Sequence, residues 1–418
     1  MIALLLLLLS PLQHAETDTL TLAQSYAYAE EAHPLRQQLS LQHEIASLRV
    51  ENLNVSYLPA LAIRSQAVYH SDVAEIQTPL AGSSTIQPSQ DQYKVSVGLD
   101  QLVYDGGVTA QLKALEQVQR DLLTGKVEVE LYKLKEQVTT AYFAILFLDA
   151  QIENLDLMDS DLAAKQRTLE SAVANGTGLQ DNVDVIAAER ISVEQRRIEN
   201  VADKQAALRI LQELLGRPLA PDVVLELPDL GETPTPLERD RPEYLVFDAG
   251  RKILDESASL ERLRLRPRIS AFAEAAVGRP PGLNFFETDF KPFYSAGLRL
   301  TWNPWNWQST RRTRRIQSLE ADVIDAEERS FSRQIRISVQ RDLGDIDKFR
   351  SLLDSDAEAV RLRERIAERA GSKLANGVVT ASEYLTERNA ASRARLLQRI
   401  HEIQFAQAKA RYLTTIGN

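Results

Sequence analysis

The chain has 418 residues, of which 44% are hydrophobic and 26% are charged, a composition typical of folded rather than disordered proteins. Its formal net charge of −10 argues against nucleic acid as a partner, and the absence of cysteine excludes disulfides, thiolate metal sites and a cysteine nucleophile. The longest wholly apolar runs have eight residues, at 2–9 and 141–148, whereas a membrane-spanning helix needs about 20. Any membrane crossing must therefore be made by strands.

The N-terminal segment has the pattern of a secretory signal peptide. A leucine-rich run at residues 2–9 is followed by Pro11 and Ala15, although no basic residue precedes the run. We expect residues 1–15 to be removed on export. A buried N-terminal helix is the alternative, which Pro11 disfavours.

Two long helices are predicted, one in each half of the chain. Residues 109–174 contain no proline and one glycine, and apolar residues recur along them at alternating steps of three and four. This spacing indicates a helix that is packed along its whole length. Its 66 residues would measure about 100 Å, far more than the core of a soluble domain. Residues 309–374 repeat the pattern at the same length.

Both long helices end at a glycine turn, at 175–178 in the first half and at 376–377 in the second, and a further helix follows each turn. Asp181 and Thr380 come three residues after these turns, where an N-cap residue is expected. The two copies are 199 residues apart, which predicts an internal repeat of about 200 residues.

The first half has two shorter helices beside its long one. They are predicted at 20–53 and 181–215, each about 35 residues long. Together they match the length of one long helix, which predicts a packed helical layer.

Strand patterns precede each long helix. Apolar and polar residues alternate at 93–100 and at 294–302, and weaker alternation follows a proline at 61–69 and at 269–277. Four strands of about ten residues match the thickness of a bilayer. Because four strands cannot close a barrel and open edges are costly in lipid, several copies of the chain must contribute. A small soluble β-subdomain is the alternative.

Aromatic residues follow the strands. Tyr104 comes after the first-half strand, and Trp302, Trp305 and Trp307 come after the second-half strand. Tyrosine and tryptophan are enriched at membrane interfaces, so we predict that these residues lie at one.

Several motifs resemble those of one known family. Residues 98–107, Gly-Leu-Asp-Gln-Leu-Val-Tyr-Asp-Gly-Gly, resemble the strand-to-helix signature of the TolC family of outer-membrane efflux and secretion channels. Residues 297–307 resemble its second copy, with tryptophan and asparagine where a glycine pair is usual, and 241–243 resemble a mid-chain Arg-Pro-Glu motif. The order, spacing and duplication of these motifs carry the resemblance over residues 20–417.

The resemblance implies a mainly α-helical protein with a small membrane β part. Three copies with four strands each would form a 12-stranded β-barrel, continuous with a long periplasmic α-helical barrel, from two internal repeats. The domain order would be a signal peptide at 1–15, a first repeat at 16–216, a linker at 217–241 and a second repeat at 242–418.

The resemblance also implies a function. The protein would be a non-enzymatic exit channel in the outer membrane of a Gram-negative bacterium, within a tripartite efflux or type I secretion system. Its expected partners are two further copies of the chain, outer-membrane lipid, a periplasmic adaptor (membrane fusion) protein and an inner-membrane pump of the RND or ABC type. We find no catalytic or metal-binding motif, and no cofactor, metal or nucleic acid is expected.

A structural role is the competing interpretation. An exported trimeric coiled-coil structural protein or adhesin would also have heptads and no catalytic site. It would need neither the duplicated alternating strands nor a returning helix after each long one.

Asp184 and Glu383 each stand six residues after a glycine of the turns. In the family, acids near this place line a periplasmic aperture, so the resemblance implies rings of carboxylates that attract cations. First-turn acids that complement the helix dipole are the alternative, and both roles are compatible. Val379 and Leu374 stand where some members carry a gate-locking arginine and a tyrosine, which argues against an identical lock.

The turns themselves resemble the adaptor-docking tips of the family. The residues concerned are Thr177, Gly178, Leu179, Gly377, Val378 and Val379. Ordinary turn chemistry is the alternative explanation for these residue types.

Overall fold

A computed structural model describes residues 19–73, 89–234, 241–285 and 287–417 of the chain. The predicted signal peptide at 1–15 lies outside these residues, as does part of the predicted linker at 217–241.

The described residues contain seven helices and six strands. The helices are α1 (Leu22–Ala32), α2 (Leu35–Val55), α3 (Val108–Ala174), α4 (Gln180–Leu215), α5 (Glu243–Leu263), α6 (Ser309–Ala375) and α7 (Ala381–Ile416). The strands are β1 (Thr19–Leu20), β2 (Ala60–Tyr69), β3 (Asp91–Tyr104), β4 (Val224–Leu225), β5 (Arg268–Arg279) and β6 (Lys291–Thr301). The predicted mainly helical class with four membrane-length strands is confirmed.

The four longest helices occur in two pairs of equal length. α3 and α6 have 67 residues each, and α4 and α7 have 36 each. The first residues are 201 positions apart in both pairs, so the predicted distance of 199 is two residues too short. Because two residues turn a helix by about 200°, this correction changes which side chains are equivalent.

The predicted continuous helix at 20–53 is wrong. α1 ends at Ala32 and α2 begins at Leu35, with His33 in an extended conformation (φ −69°, ψ 127°). Pro34 explains the break, because proline cannot donate a helical hydrogen bond and disfavours the helical conformation in the residue before it. The His33 side chain compensates by accepting the Leu35 amide hydrogen at Nδ1, at 3.2 Å.

Four strands form one antiparallel sheet in the order β2-β3-β5-β6. The two halves of the chain meet where β3 pairs with β5, and a register shift lies between Leu102 and Tyr104. β1 and β4 form a separate two-residue parallel pair, in which Leu20 is opposite Leu225. β4 falls in a segment that the sequence predicted only as a linker.

The chain divides into two compact units, and each unit takes segments from both halves. Among the described residues, one unit comprises 39–73, 89–125, 245–285 and 287–328 and contains the four-stranded sheet. The other comprises 19–38, 126–234, 241–244 and 329–417, and it contains three apolar cores built around the long helices. α3 and α6 run through both units. The repeat boundaries predicted at 216 and 242 stay a prediction.

The turn that leads from the sheet into each long helix uses two residues with positive φ. Gly106 and Gly107 have φ values of 73° and 91° before α3, whereas Trp307 and Gln308 have 53° and 61° before α6. The tryptophan and asparagine assigned to the glycine positions from sequence are therefore not the equivalent residues. Side chains at positive φ cost about 1–2 kcal/mol each, so the second turn is strained where the first is not.

We expect Gln308→Gly to raise the melting temperature of the purified protein, with a gain of about 0.5–1 kcal/mol in stability. Gly106→Ala is the matched opposite change, because an added Cβ would lie 2.7 Å from the Arg266 Cβ and should lower the melting temperature. Glycine in a helix interior lowers stability. If Gln308→Gly lowers the melting temperature in the same way, the backbone at Gln308 is not strained.

Candidate membrane sheet and helix tips

One face of the four-stranded sheet is apolar and open to solvent. Its side chains follow from the strand alternation and from the registers of the three strand pairs. The large exposed members are Leu61, Ile63, Tyr93, Val95, Val97, Leu99, Val277, Tyr294, Leu298 and Leu300. Tyr294 is 87% exposed and Ile63 is 75% exposed. Exposed apolar patches of this kind are typical of surfaces that contact a membrane or another protein.

The opposite face is polar and held by ion pairs. Asp100 lies 3.7 Å from Arg64 and 3.6 Å from Arg299, measured between carboxylate oxygens and guanidinium nitrogens. Lys94 Nζ lies 2.9 Å from the Glu274 carboxylate. A strand with one apolar and one polar face is what a barrel needs between lipid and an aqueous lumen.

Both outer strands of the sheet have a free edge. β2 pairs only with β3 and β6 only with β5 among the residues that the structure describes. Unpaired backbone groups cannot be left in hydrocarbon, where no water can satisfy them. Among the described residues, no helix combines the length and apolarity needed to cross a membrane.

The four predicted interface aromatics lie at the same end of the sheet. The register places Tyr104 opposite Ile269 and Ile269 opposite Leu300, so Tyr104 ends β3 where β6 also ends. The aromatic side chains of Tyr104, Trp302, Trp305 and Trp307 are all exposed. Trp302 donates to the Leu265 carbonyl oxygen at 3.0 Å, and the rings of Trp305 and Trp307 meet edge to face at 5.9 Å.

The two helix tips share one backbone design. Gly176 and Gly377 have positive φ values of 70° and 68° just beyond the ends of α3 and α6. The Gly176 amide donates to Val173 O at 2.9 Å, and the Thr177 amide donates to Ala172 O at 2.9 Å. Gly377 and the residue after it repeat this pair of bonds at 3.0 and 2.9 Å. This Schellman motif satisfies the last helical carbonyls and fixes the turn, and its positive φ favours glycine at this position.

Most of the predicted docking residues are open to solvent. Leu179 and Val378 are 69% and 68% exposed, and Thr177 and Gly377 are also exposed. Gly178 and Val379 are half-buried, and Val379 packs against the apolar core below the tips. A docking role for these residues stays a prediction.

The two predicted aperture acids are exposed but not equivalent. With helix starts 201 residues apart, the position that matches Glu383 is Asn182, and the position that matches Asp184 is Leu385. Leu385 is buried, so the second repeat places an apolar side chain where the first has Asp184. Asp184 accepts a hydrogen bond from the Gln180 side chain at 2.8 Å.

Glu383 closes a capping box at the start of α7. Its carboxylate accepts from the Thr380 amide at 2.8 Å and from the Thr380 hydroxyl at 3.1 Å, and its own amide donates to that hydroxyl at 3.3 Å. These bonds lower the pKa of the Glu383 carboxyl from its ordinary value of 4.5. Their stabilising contribution is complete above that value and is lost as the pH falls through the lower pKa of the folded protein.

The N-cap predicted at Asp181 is wrong. Leu179 is the N-cap residue of α4 and provides no side-chain hydrogen bond, and Asp181 lies inside the first turn. An acid there still complements the helix dipole.

Polar contacts below the tips tie the two helix pairs together. The Ala381 amide donates to Asn182 Oδ1 at 3.0 Å, and Lys165 Nζ donates to the Gly371 carbonyl oxygen at 3.0 Å. The Lys165 ammonium also lies 5.3 Å from the centre of the Tyr384 ring, and burial lowers its pKa. These contacts place the start of α7 against the first helix pair.

Sequence reasoning missed a buried tyrosine that organises the β1–β4 pair. The Tyr142 hydroxyl lies 2.8 Å from Leu20 O and 2.6 Å from Glu226 O, and the side chain is fully buried. The sequence carried only a weak strand pattern at 223–227, where Val223, Leu225 and Leu227 alternate with residues that are exposed in the structure. The strand that pairs with this segment, β1, lies about 200 residues away in the sequence.

Among the residues that the structure describes, no group of three or more His, Cys, Asp or Glu side chains is placed to hold a metal ion.

Solved structures of outer-membrane channels have the same fold as this chain. The CmeC channel of Campylobacter jejuni matches with a TM-score of 0.68 at 13% identity, over 95% of this chain and 85% of that one. The transmembrane channel CusC matches at 0.71 and 10% identity, over 95% and 92%. The open state of the Neisseria gonorrhoeae MtrE channel matches at 0.69 and 16% identity, over 95% and 89%. No protein-family model and no curated protein sequence matches the chain.

These matches show the fold, and they span nearly the whole of both chains. The chain therefore has the fold of the outer-membrane channels, as its resemblance to the TolC family implied. Identities of 10–16% carry no residue roles from those proteins to this one.

We expect Thr380→Ala to loosen the start of α7 by about 1 kcal/mol, because it removes the hydroxyl that accepts the Glu383 amide hydrogen. Hydrogen exchange of peptides covering 381–385 should become faster. Asp181→Asn is the control and should change exchange at the start of α4 much less, because Asp181 is not an N-cap. Equal effects of the two changes would contradict the assignment of the caps.

Proposed function

We propose that the protein is an outer-membrane channel, the exit duct of a tripartite efflux or type I secretion system. Support comes from the fold shared with CmeC, CusC and MtrE, all of which are described as channels. The observation that carries the proposal is the sheet, with one apolar face, one polar face and two free edges.

The free edges call for further copies of the chain, and the resemblance to the TolC family puts their number at three. β2 and β6 run in opposite directions, as the alternation of four antiparallel strands requires, so β6 of one copy can pair with β2 of the next as a further antiparallel ladder. Three copies then supply twelve strands, and the closed barrel leaves no backbone group unpaired in lipid. The apolar face meets lipid and the polar face lines the lumen.

The membrane orientation follows from the ends of the sheet. The aromatic end, where α3 and α6 begin, faces the periplasm, and the helical tips are periplasmic as well. The connections between β2 and β3 and between β5 and β6 then face the outside of the cell. The exposed tips dock onto a periplasmic adaptor, which couples the channel to an inner-membrane pump of the RND or ABC type.

The first test is the oligomeric state. Native mass measurement of the full-length protein, extracted from outer membranes in detergent, should give three copies. A stable water-soluble monomer would overturn the proposal, because its apolar sheet face would then need no partner.

The second test concerns the aperture. We propose that Asp184 and Glu383 favour cations at the periplasmic mouth, although they occupy different helical positions. The double variant Asp184→Asn with Glu383→Gln removes both charges, and Gln can still complete the capping box. Its single-channel currents should show weaker cation preference, with the trimer intact.

Glu199→Gln is the matched control for this test, since Glu199 is an exposed acid of α4 several turns from the tip. It should leave the cation preference unchanged. The aperture role would be ruled out if the double variant and the control gave the same currents as the unsubstituted trimer.

A further inference from the structure

The polar face of the sheet carries an excess of positive charge, although the chain as a whole carries −10. By strand register, five basic residues and two acids lie on this face: Arg64, Lys94, Arg268, Lys291 and Arg299, against Asp100 and Glu274. Lys291 is paired with Glu287, from the connection before β6. An excess of two cations per copy remains.

Two guanidinium groups share a single carboxylate on this face. Asp100 is the ion-pair partner of both Arg64 and Arg299, which come from the two outer strands. The two arginine side chains are 62% and 58% exposed, whereas Asp100 is 36% exposed. The two arginine side chains are therefore more exposed to solvent than the single carboxylate that neutralises part of their charge.

Aromatic rings hold two of the cations in place. The Arg299 guanidinium lies 5.0 Å from the centre of the Phe272 ring, and Lys94 Nζ lies 5.7 Å from that of Phe293. Gly297 makes room for the first contact, because a Cβ there would lie 2.9 Å from Phe272 Cζ. Each cation therefore contacts a ring of the same sheet face, while its side chain stays partly exposed to solvent.

Arg268 adds a charge without any compensation. It begins β5 opposite Thr301, on the same face as Arg299, and it is exposed. No acidic side chain lies within ion-pair distance of Arg268 in the part of the chain that the structure describes.

We infer that this face attracts anions, and that the part of the channel lined by the sheet favours solutes that carry carboxylate, sulfate or phosphate groups, whereas Asp184 and Glu383 act on cations at the periplasmic mouth. The inference rests on the proposed function, which turns this face toward the lumen. Three copies bring three such faces around one narrow aqueous path with low-dielectric walls, where like charges concentrate counter-ions. The residues that set this preference are Arg64, Arg268 and Arg299, with Lys94 largely balanced by Glu274.

The test is the reversal potential of the full-length trimer in a planar bilayer under a gradient of potassium chloride, and then of potassium sulfate. Arg268→Gln combined with Arg299→Gln should lower the permeability ratio of chloride to potassium by about twofold or more. The sulfate current should fall by a larger factor, because a divalent anion responds more strongly to the same potential.

Three further variants isolate the effect of charge on this face. Arg279→Gln removes a cation from the same sheet, but Arg279 lies in register with the apolar face, paired with Asp91 at 3.5 Å. It should leave the ratio unchanged, whereas Arg299→Gln alone should lower it. Arg299→Lys keeps the charge and should preserve the selectivity of the unsubstituted channel.

The outcomes separate the inference from the function on which it rests. A conducting double variant with unchanged selectivity overturns the inference and leaves the channel proposal standing. An equal shift for Arg279→Gln and Arg299→Gln also overturns it. Absence of any conductance in the unsubstituted trimer overturns both.

Discussion

A β-sheet in hydrocarbon can leave no edge unpaired, and this constraint explains most of the chain. Four strands supply at most half of the smallest closed membrane barrel, so one copy cannot satisfy its own backbone in a bilayer. In the proposed channel the exposed apolar side chains of the sheet, of which Tyr294 is the most exposed, face lipid rather than water. Oligomerisation is therefore a condition for inserting the sheet at all.

The two long helices begin close to the end of the sheet. Each half of the chain leaves the sheet through two residues with positive φ and continues as a helix of 67 residues. The first half uses Gly106 and Gly107 for this turn, and the second keeps the geometry with Trp307 and Gln308. Strain at this point is retained together with an exposed tryptophan, which is consistent with a role for the Trp307 ring at the membrane interface.

Much of the fold was predictable from sequence because its elements are long and regular. The long helices were predicted at 109–174 and 309–374 and lie within one residue of those bounds, since heptad spacing without breakers leaves little freedom. The continuous helix at 20–53 failed because the pattern was followed through Pro34, whose effect on the backbone outweighs apolar spacing. The β1–β4 pair was missed because two-residue strands carry almost no local signal.

The site was harder to predict because its equivalences depend on backbone conformation rather than on residue type. Aligning Gly178 with Gly377 gave a distance of 199 residues, but the glycine that performs the same turn as Gly377 is Gly176. That difference of two residues made Asp184 and Glu383 look like copies of one position. The charge on the polar face was equally hidden, because it becomes visible only when the strand registers bring β2, β3, β5 and β6 onto one sheet.

The most direct test of this account is whether a disulfide can form between the free edge of β2 in one copy and the free edge of β6 in the next. The chain has no cysteine, so Ser65→Cys in β2 can be combined in turn with Tyr294→Cys, Ala296→Cys and Leu298→Cys in β6 without background. Within one copy the two strands are separated by β3 and β5, about 14 Å at ordinary strand spacing, which no disulfide can bridge. The account predicts that one of these pairs, oxidised in native outer membranes, gives covalent dimers and trimers on a denaturing gel. Monomers at all three pairs, in membranes where the protein conducts, would contradict the closure of the sheet between copies.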